Sequence, residues 1–316
     1  HTFVGWNTSN DGSGTGYAEG VTYSGDADLL LYASWVPDIT KILASEGADY
    51  DAFGRSVSIS GDYVIIGLQD DDNGNNSGSA YIFRRTGPNT WNTGTKILAS
   101  DGAANDSFGY SVSISGDYAI VGAQGDDDNG GGSGSAYIFR RTDANTWVEE
   151  TKILASDGAV NHQFGYSVSI DGDYAIVGAI GGDGTVAGSG SAYVFHRTGS
   201  NTWDTGTKIA ASEGAAVDRF GWSVSISGDY AIVGAPQNDD NGVDSGSAYV
   251  FYRTGTNSWD GGTKLVASDG SADDRFGYSV SISGEYGIVG AHLDDDNGVD
   301  SGSARVFYRT GTNSWG

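Results

Sequence analysis

The chain contains no cysteine and no methionine. Without thiols the fold relies on neither disulfides nor thiolate metal sites. Without an initiator residue, the expectation is a mature chain whose leader was removed ahead of His1. A chain shortened for other reasons is the plainer alternative. No apolar run approaches the ~18 residues of a membrane-spanning helix. Positive charge is scarce: 16 Lys and Arg stand against 41 Asp and Glu, a net charge of −25. Such a surface repels phosphate backbones, which argues against nucleic acid as a partner. The five lysines, Lys41, Lys96, Lys152, Lys208 and Lys264, all occupy one recurring position, so no basic patch exists for a polyanion. The charge suits a secreted protein that binds cations or works in salt water.

Glycine is abundant, at 52 residues, with a hydrophobic content of 38%. Unpatterned, that combination would suggest disorder. Here the glycines recur at fixed positions and read as turns. Phe53, Phe108, Phe164, Phe220 and Phe276 stand 55, 56, 56 and 56 residues apart, and Trp91, Trp147, Trp203, Trp259 and Trp315 stand 56 apart throughout. The chain is therefore five copies of one unit, at residues 36–91, 92–147, 148–203, 204–259 and 260–315, preceded by residues 1–35.

The second copy shows what the unit encodes. In Phe108 to Ala123, Val112 and Ile114 alternate with Ser111, Ser113 and Ser115, the two-residue period of a half-buried strand. Ser115-Gly116-Asp117 is a turn, and Tyr118 to Val121 returns as a second strand. Gly122 and Ala123 end it where a larger side chain would crowd a neighbour. Thr95 to Ser100 and Ser135 to Arg141 are two further strands. No segment sustains a helical period. Four short strands per unit predict an all-β chain, a β-propeller of four-stranded blades. Gly16 to Ala33 imitates the organising hairpin in decayed form. His1 to Trp6 reads as a short strand and Asn7 to Gly14 as a flexible link. The chain can thus form five blades with an N-terminal arm, or six with one incomplete. The last copy ends at Trp315 without a T-K-I-L-A-S strand, and the first begins with a spare one, Ile39 to Ser45. Closure of the ring by that spare strand is the expectation.

Phe108-Gly109, Val121-Gly122-Ala123 and Gly234-Ala235-Pro236 resemble the FG and GAP signatures of FG-GAP repeats. Those repeats build the propeller of integrin α-subunits and of many secreted bacterial proteins. The resemblance spans residues 36 to 315, and weakly 16 to 33. It implies the propeller fold and says little about function. Integrin-type blades carry a D-x-D-x-D-G calcium loop between the FG and GAP strands. Here that connection is only Ser-Gly-Asp, so those calcium residues cannot be carried over.

The most pronounced chemical feature is an acidic loop after the second strand. It comprises Asp70, Asp71, Asp72 and Asn73; Asp126, Asp127, Asp128 and Asn129; Asp239, Asp240 and Asn241; and Asp294, Asp295, Asp296 and Asn297. Clustered carboxylates with an Asn carbonyl are hard oxygen ligands of the kind Ca²⁺ takes, which makes these loops candidate calcium sites. A solvated acidic turn is the plain alternative. The third copy, Gly181 to Gly184, has lost the cluster. A second acidic pair precedes each Phe-Gly: Glu46 and Asp51, Asp101 and Asp106, Glu213 and Asp218, Asp269 and Asp274, with Asp157 and His162 in the third copy. Turn capping and pairing with the nearby lysine explain these better than catalysis.

Paired carboxylates can hydrolyse glycosides. Repetition argues against it, because an enzyme needs a unique site. His162, His196 and His292 are isolated. His1 lacks the second histidine that a copper site would need. Tyr81, Tyr137, Tyr193 and Tyr249 and the repeat tryptophans read as packing between blades, with a sugar-stacking platform as the alternative. Asn7, Asn75 and Asn105 head short glycosylation sequons. The expectation is a non-catalytic, secreted or cell-surface propeller, an extracellular binding or assembly module without an enzymatic role. It would be an adhesion or filament subunit, stabilised by Ca²⁺. Its partners would be other copies, engaged through residues 1–35, or an extracellular protein or glycan. A multivalent lectin comes second and a polysaccharide-active enzyme third.

Overall fold

The computed structural model describes residues 2–9, 13–18, 30–36, 40–69 and 75–316. Two compact units are present. One comprises residues 1–43 and 85–91, the other residues 44–84 and 92–316.

The larger unit holds five antiparallel sheets, and every described regular element in it is a strand. The second sheet is formed by Phe108–Ser115, Tyr118–Ala123, Ser135–Asp143 and Thr146–Ile153, each paired with the next. The Ser-Gly-Asp turn closes the hairpin as the sequence indicates, with Tyr118 opposite Ser115 and Gly116 at a φ of 58°. The other sheets repeat this plan. They begin at Ser56–Ser60, Phe164–Asp171, Ser223–Ser227 and Phe276–Ser283.

The fourth strand comes from the start of the following repeat. Thr95–Ile97, Thr207–Ile209 and Thr263–Leu265 each pair with the third strand of the sheet before them. In the second sheet this strand is continuous from Thr146, because Glu150 stands where the other sheets have Gly94, Gly206 and Gly262. Those glycines have positive φ and face the rings of Phe83, Phe195 and Phe251. Four-stranded sheets in this succession match the blades of a propeller, as the sequence predicts.

Consecutive sheets form a closely packed joint. Ile120, Ala136 and Ile138 of the second sheet lie in one buried cluster with Val168, Ile170, Ala175, Val177, Tyr193 and Phe195 of the third. The backbones almost touch. A Cβ on Gly122 would stand 2.1 Å from the carbonyl oxygen of Gly165, and one on Gly134 would stand 2.0 Å from that of Phe164. Only glycine permits that approach. Ser111 Oγ donates to Gly165 O at 2.8 Å, and Ile170 N donates to Ser113 Oγ at 3.2 Å. The same bonds recur at the other three joints.

The first and last sheets each keep one face open. Val57 and Ile59 are each 66% exposed, whereas Val112 and Ile114 at the same repeat positions are 7% and 4%. Ile288 and Val306 are 43% and 63% exposed, against 0% for Ile120 and Ile138. The expected closing strand does not form as such: Ile39 lies outside the described residues, and Thr40 to Ala44 adopt no strand. Among the described residues, Ser303–Gly311 pairs only with Tyr286–Ala291 and Ser314–Trp315.

Residues 19–29 of the expected decayed hairpin lie outside the described residues, and its described ends pair differently from that expectation. Thr2–Asn7 is a central strand, flanked by Gly16–Tyr17 on one side and Tyr32–Val36 on the other. Gly16-Tyr17 and Leu30 to Ala33 therefore do not pair with each other. The apolar N-terminal strand recruits both. Of the segment expected to be a flexible link, residues 10–12 lie outside the described residues, and its described ends are held by hydrogen bonds. Thr8 N donates to Thr15 O at 3.1 Å, Ser9 N to Asn7 Oδ1 at 2.9 Å, and Thr15 N to Thr8 Oγ1 at 2.8 Å.

Candidate functional site: acidic loops closed by a lysine

The acidic loop joins the second and third strands of a sheet, and its carboxylates serve the loop first. In the second repeat Asp126 Oδ1 accepts from Asp128 N at 3.1 Å, and Asp127 Oδ1 accepts from Gly132 N at 2.7 Å. Asp294 and Asp295 accept from Asp296 N and Asp300 N in the same way, at 2.9 and 2.7 Å. Short polar side chains that bind the following N–H groups hold such turns.

The loop's first residue is buried. Asp126 and Asp294 are each 3% exposed. At Asp126 the charge is met by Lys152 on the fourth strand. Its Nζ lies 2.8 Å from Asp126, 2.7 Å from Asp128 and 2.9 Å from Asp101. Tyr137 Oη donates its one proton to Asp101 at 2.7 Å and lies 3.1 Å from Asp126. Burial works against the charged amine, but its hydrogen bonds to Asp126, Asp128 and Asp101 outweigh this and raise the Lys152 pKa. Burial likewise favours protonated Asp101, yet Lys152 and Tyr137 bring its pKa below the usual value. Burial, then the Asp101 hydrogen bond, raises that of Tyr137.

The other repeats vary this centre. In the third, Gly182 replaces the buried aspartate, and Lys208 holds Asp157 at 2.5 Å and the carbonyl of Asp183. In the fourth, Asn238 occupies the buried position and turns its Nδ2 to Asp218 at 3.0 Å. The sequence cluster Asp239-Asp240-Asn241 thus begins one residue after the buried site. Lys264 lies against Asp240 and 3.8 Å from Glu213. With one carboxylate fewer, burial lowers its pKa, and Glu213 and Asp218 oppose this only in part. The fifth repeat has Arg305 in place of the tyrosine, paired with Asp269. Asp70, Asp71, Asp72 and Asn73 lie outside the described residues. Among the described residues no group of three or more His, Asp or Glu side chains is arranged to hold a metal ion.

The acids ahead of each Phe-Gly have the two structural roles expected of them. Asp106, Asp218 and Asp274 accept from Ala103 N, Ala215 N and Ser271 N at 2.6, 2.8 and 2.7 Å, capping the turn. Asp101, Asp157 and Glu213 face the lysine. Each pairs with the lysine one repeat later, as Lys96 does with Glu46 at 3.5 Å, and not with the one just before it in sequence. Tyr81, Tyr137, Tyr193 and Tyr249 are buried to within 1% and belong to the core. The histidines are not brought together. His162 is buried, His196 lies against Tyr174 and His292 against Tyr278, at 4.6 and 3.9 Å between rings.

One arrangement escaped the sequence reading. The residue after each Phe-Gly forms a ladder from sheet to sheet. Arg55 lies 4.1 Å over Tyr110, and Tyr110, Tyr166, Trp222 and Tyr278 follow with ring centroids 5.1, 4.9 and 5.4 Å apart. The signal was an aromatic residue recurring once per repeat on a strand otherwise built of Ser, Val and Ile.

The FG-GAP repeat profile matches residues 36–83, 91–139, 147–195, 203–251 and 259–307. The chain belongs to the FG-GAP repeat family. In each FG-GAP unit the Phe lies at the edge of the joint, buried to within 1% in the last four copies. The Gly after it, the Gly of the GA pair and the Gly before the third strand are the points of close approach between sheets. FG-GAP propeller modules are generally non-catalytic and often extracellular. Among the described residues no helix is long and apolar enough to cross a membrane. No curated protein matches the chain.

Proposed function

We propose that this FG-GAP chain is a non-catalytic extracellular module for binding and assembly, acting as an adhesion or surface-filament subunit. One observation carries the reading. In the described loops the acidic groups are taken up by turns and by the lysine of the following repeat, as Lys152 takes up Asp101, Asp126 and Asp128. A hydrolase needs a free acid and base facing one cleft. Here the carboxylates recur from sheet to sheet and are committed to structure. Calcium enters the proposal as a stabilising ion at the acidic loops, tested by melting with and without a chelator. Residues 1–35 are proposed as a contact to other copies, tested by sizing after their removal.

A multivalent lectin is the second reading, favoured by the aromatic ladder at Tyr110, Tyr166, Trp222 and Tyr278. Incubation with a panel of polysaccharides, followed by analysis of released sugars, should show no turnover. Release of any product overturns the non-catalytic reading. Glycan binding at several equivalents per chain, with fewer equivalents after replacing Tyr278 with Ala, would favour the lectin.

A further inference from the structure

We propose that the open faces of the first and last sheets are the two halves of one joint, and that they join a second copy of this chain head to tail. The inference deepens the assembly reading by naming partner and surface.

Every internal joint has the same parts. The face turned toward the next sheet carries a branched residue on each of the second and third strands, with a close-approach glycine at the end of the second and another before the third. The face turned toward the preceding sheet carries two branched residues on the first strand, behind Phe-Gly. At the last sheet the first kind of face is intact and, among the described residues, unoccupied. Ile288 and Val306 are exposed at the positions of Ile120 and Ile138. Gly290 and Gly302 stand where Gly122 and Gly134 meet the next sheet's backbone at 2.1 and 2.0 Å, yet no backbone of a following sheet approaches either. At the first sheet the second kind of face is equally intact. Val57 and Ile59 are exposed, and a Cβ on Gly54 would meet nothing within 4 Å. Both ends thus retain the parts that fit each other at the four internal joints.

The sheet edge agrees. In the first four sheets a Thr-Lys-[Ile/Leu] strand pairs with the third strand, as Ile97 does with Ala80 and Lys96 with Tyr81. Among the described residues, Ala304 to Val306 has no such partner. The sequence Thr40-Lys41-Ile42-Leu43 stands at the head of the chain, ahead of its first sheet. A second copy entering at this edge supplies that strand by β-addition. The repeat register sets Ile42 opposite Ala304 and Lys41 opposite Arg305, which brings a lysine to the loop of Asp294 and Asp296. Its first sheet then covers Ile288 and Val306. The contact is heterologous, so it continues into an array unless the rotation closes a ring.

Sedimentation of the full chain over a concentration series tests this, with two double variants at exposed positions. One, Ile288→Asp with Val306→Asp, blocks the tail. The other, Val57→Asp with Ile59→Asp, blocks the head. The wild type should form species heavier than its 32.7 kDa chain, growing with concentration. Each variant alone should sediment as a monomer with a near wild-type melting temperature. An equal mixture of the two should give a dimer and nothing larger, because one free head meets one free tail. A wild type that stays monomeric at all concentrations overturns the proposal, as does a mixture that fails to pair. A monomer whose melting temperature falls in both variants means that the two faces close within one chain. Assembly that begins only after residues 1–35 are removed means that the arm covers a face. Either result overturns the second-copy joint and leaves the non-catalytic reading standing, whereas polysaccharide turnover would sink that reading and leave the joint untouched.

Discussion

Lys152 and Lys264 differ mainly in whether the buried position nearby holds Asp126 or Asn238. Their pKa shifts run in opposite directions: hydrogen bonds to Asp126, Asp128 and Asp101 outweigh burial at Lys152, whereas burial outweighs Glu213 and Asp218 at Lys264. Removing Lys152 leaves Asp126, with a side chain only 4% exposed, as an unpaired buried charge. Lys152→Ala should therefore cost about 3–5 kcal/mol in denaturant unfolding. Lys208→Ala loses a carboxylate that is 46% exposed. It should cost at most about 1 kcal/mol.

Two aspartates five residues apart should also have pKa values shifted in opposite directions. Burial with the Lys152 and Tyr137 bonds leaves Asp101 below its usual pKa, whereas burial with the Asp126 charge leaves Asp106 above it. Asp101 then favours the fold above its unfolded value, near 4, and that contribution is lost as pH falls through the lower native value. Asp106 does the reverse: its contribution is present in acid and lost as pH rises through its raised native value. Carboxyl NMR titration of both residues checks the signs. The acid types were legible in sequence. Their partners were not, because the lysine that meets Asp101 lies a full repeat away.

At the scale of the strand, one substitution separates joint from edge. Ile120 is fully buried, whereas Ile288 at the same repeat position is 43% exposed. Ile120→Ala should cost ~2–5 kcal/mol. Ile288→Ala in the monomer should stay within about half a kilocalorie. Equal losses at both sites would contradict this account of the joint. Gly122→Ala places a Cβ against the Gly165 carbonyl. It should cost about 1–3 kcal/mol by overpacking.

The hairpin was legible because alternation, turn and the terminal Gly-Ala all sit within sixteen residues. The arm was not. Its central strand, Thr2–Asn7, precedes both segments that pair with it, and local likeness to the repeat hairpin concealed the actual partner.

Across the larger unit, each sheet leans only on its neighbours, so stability approximates a sum of sheet and joint terms. The last sheet has one joint and the third has two. Amide exchange should therefore be faster in Tyr286–Ala291 than in Tyr174–Ala179. Hydrogen–deuterium exchange with mass spectrometry resolves these segments, and equal protection would mean that the last sheet is covered in solution. The repeat count and blade plan were legible in sequence because the period is nearly exact. Whether the array closes was not, since closure depends on the placement of a single strand near residue 40.

Borrowing the fourth strand from the next repeat also determines how the chain responds to cutting. A protease acting after Val160, in the exposed turn between sheets, separates two sets of complete sheets that only the joint holds together. A cut after Ser200 instead severs the third sheet's three long strands from Thr207–Ile209, which pairs with Ala192 to Val194. The second pair of fragments interlocks through a shared sheet as well as a joint. It should stay together through a gel-filtration column at denaturant concentrations that part the first.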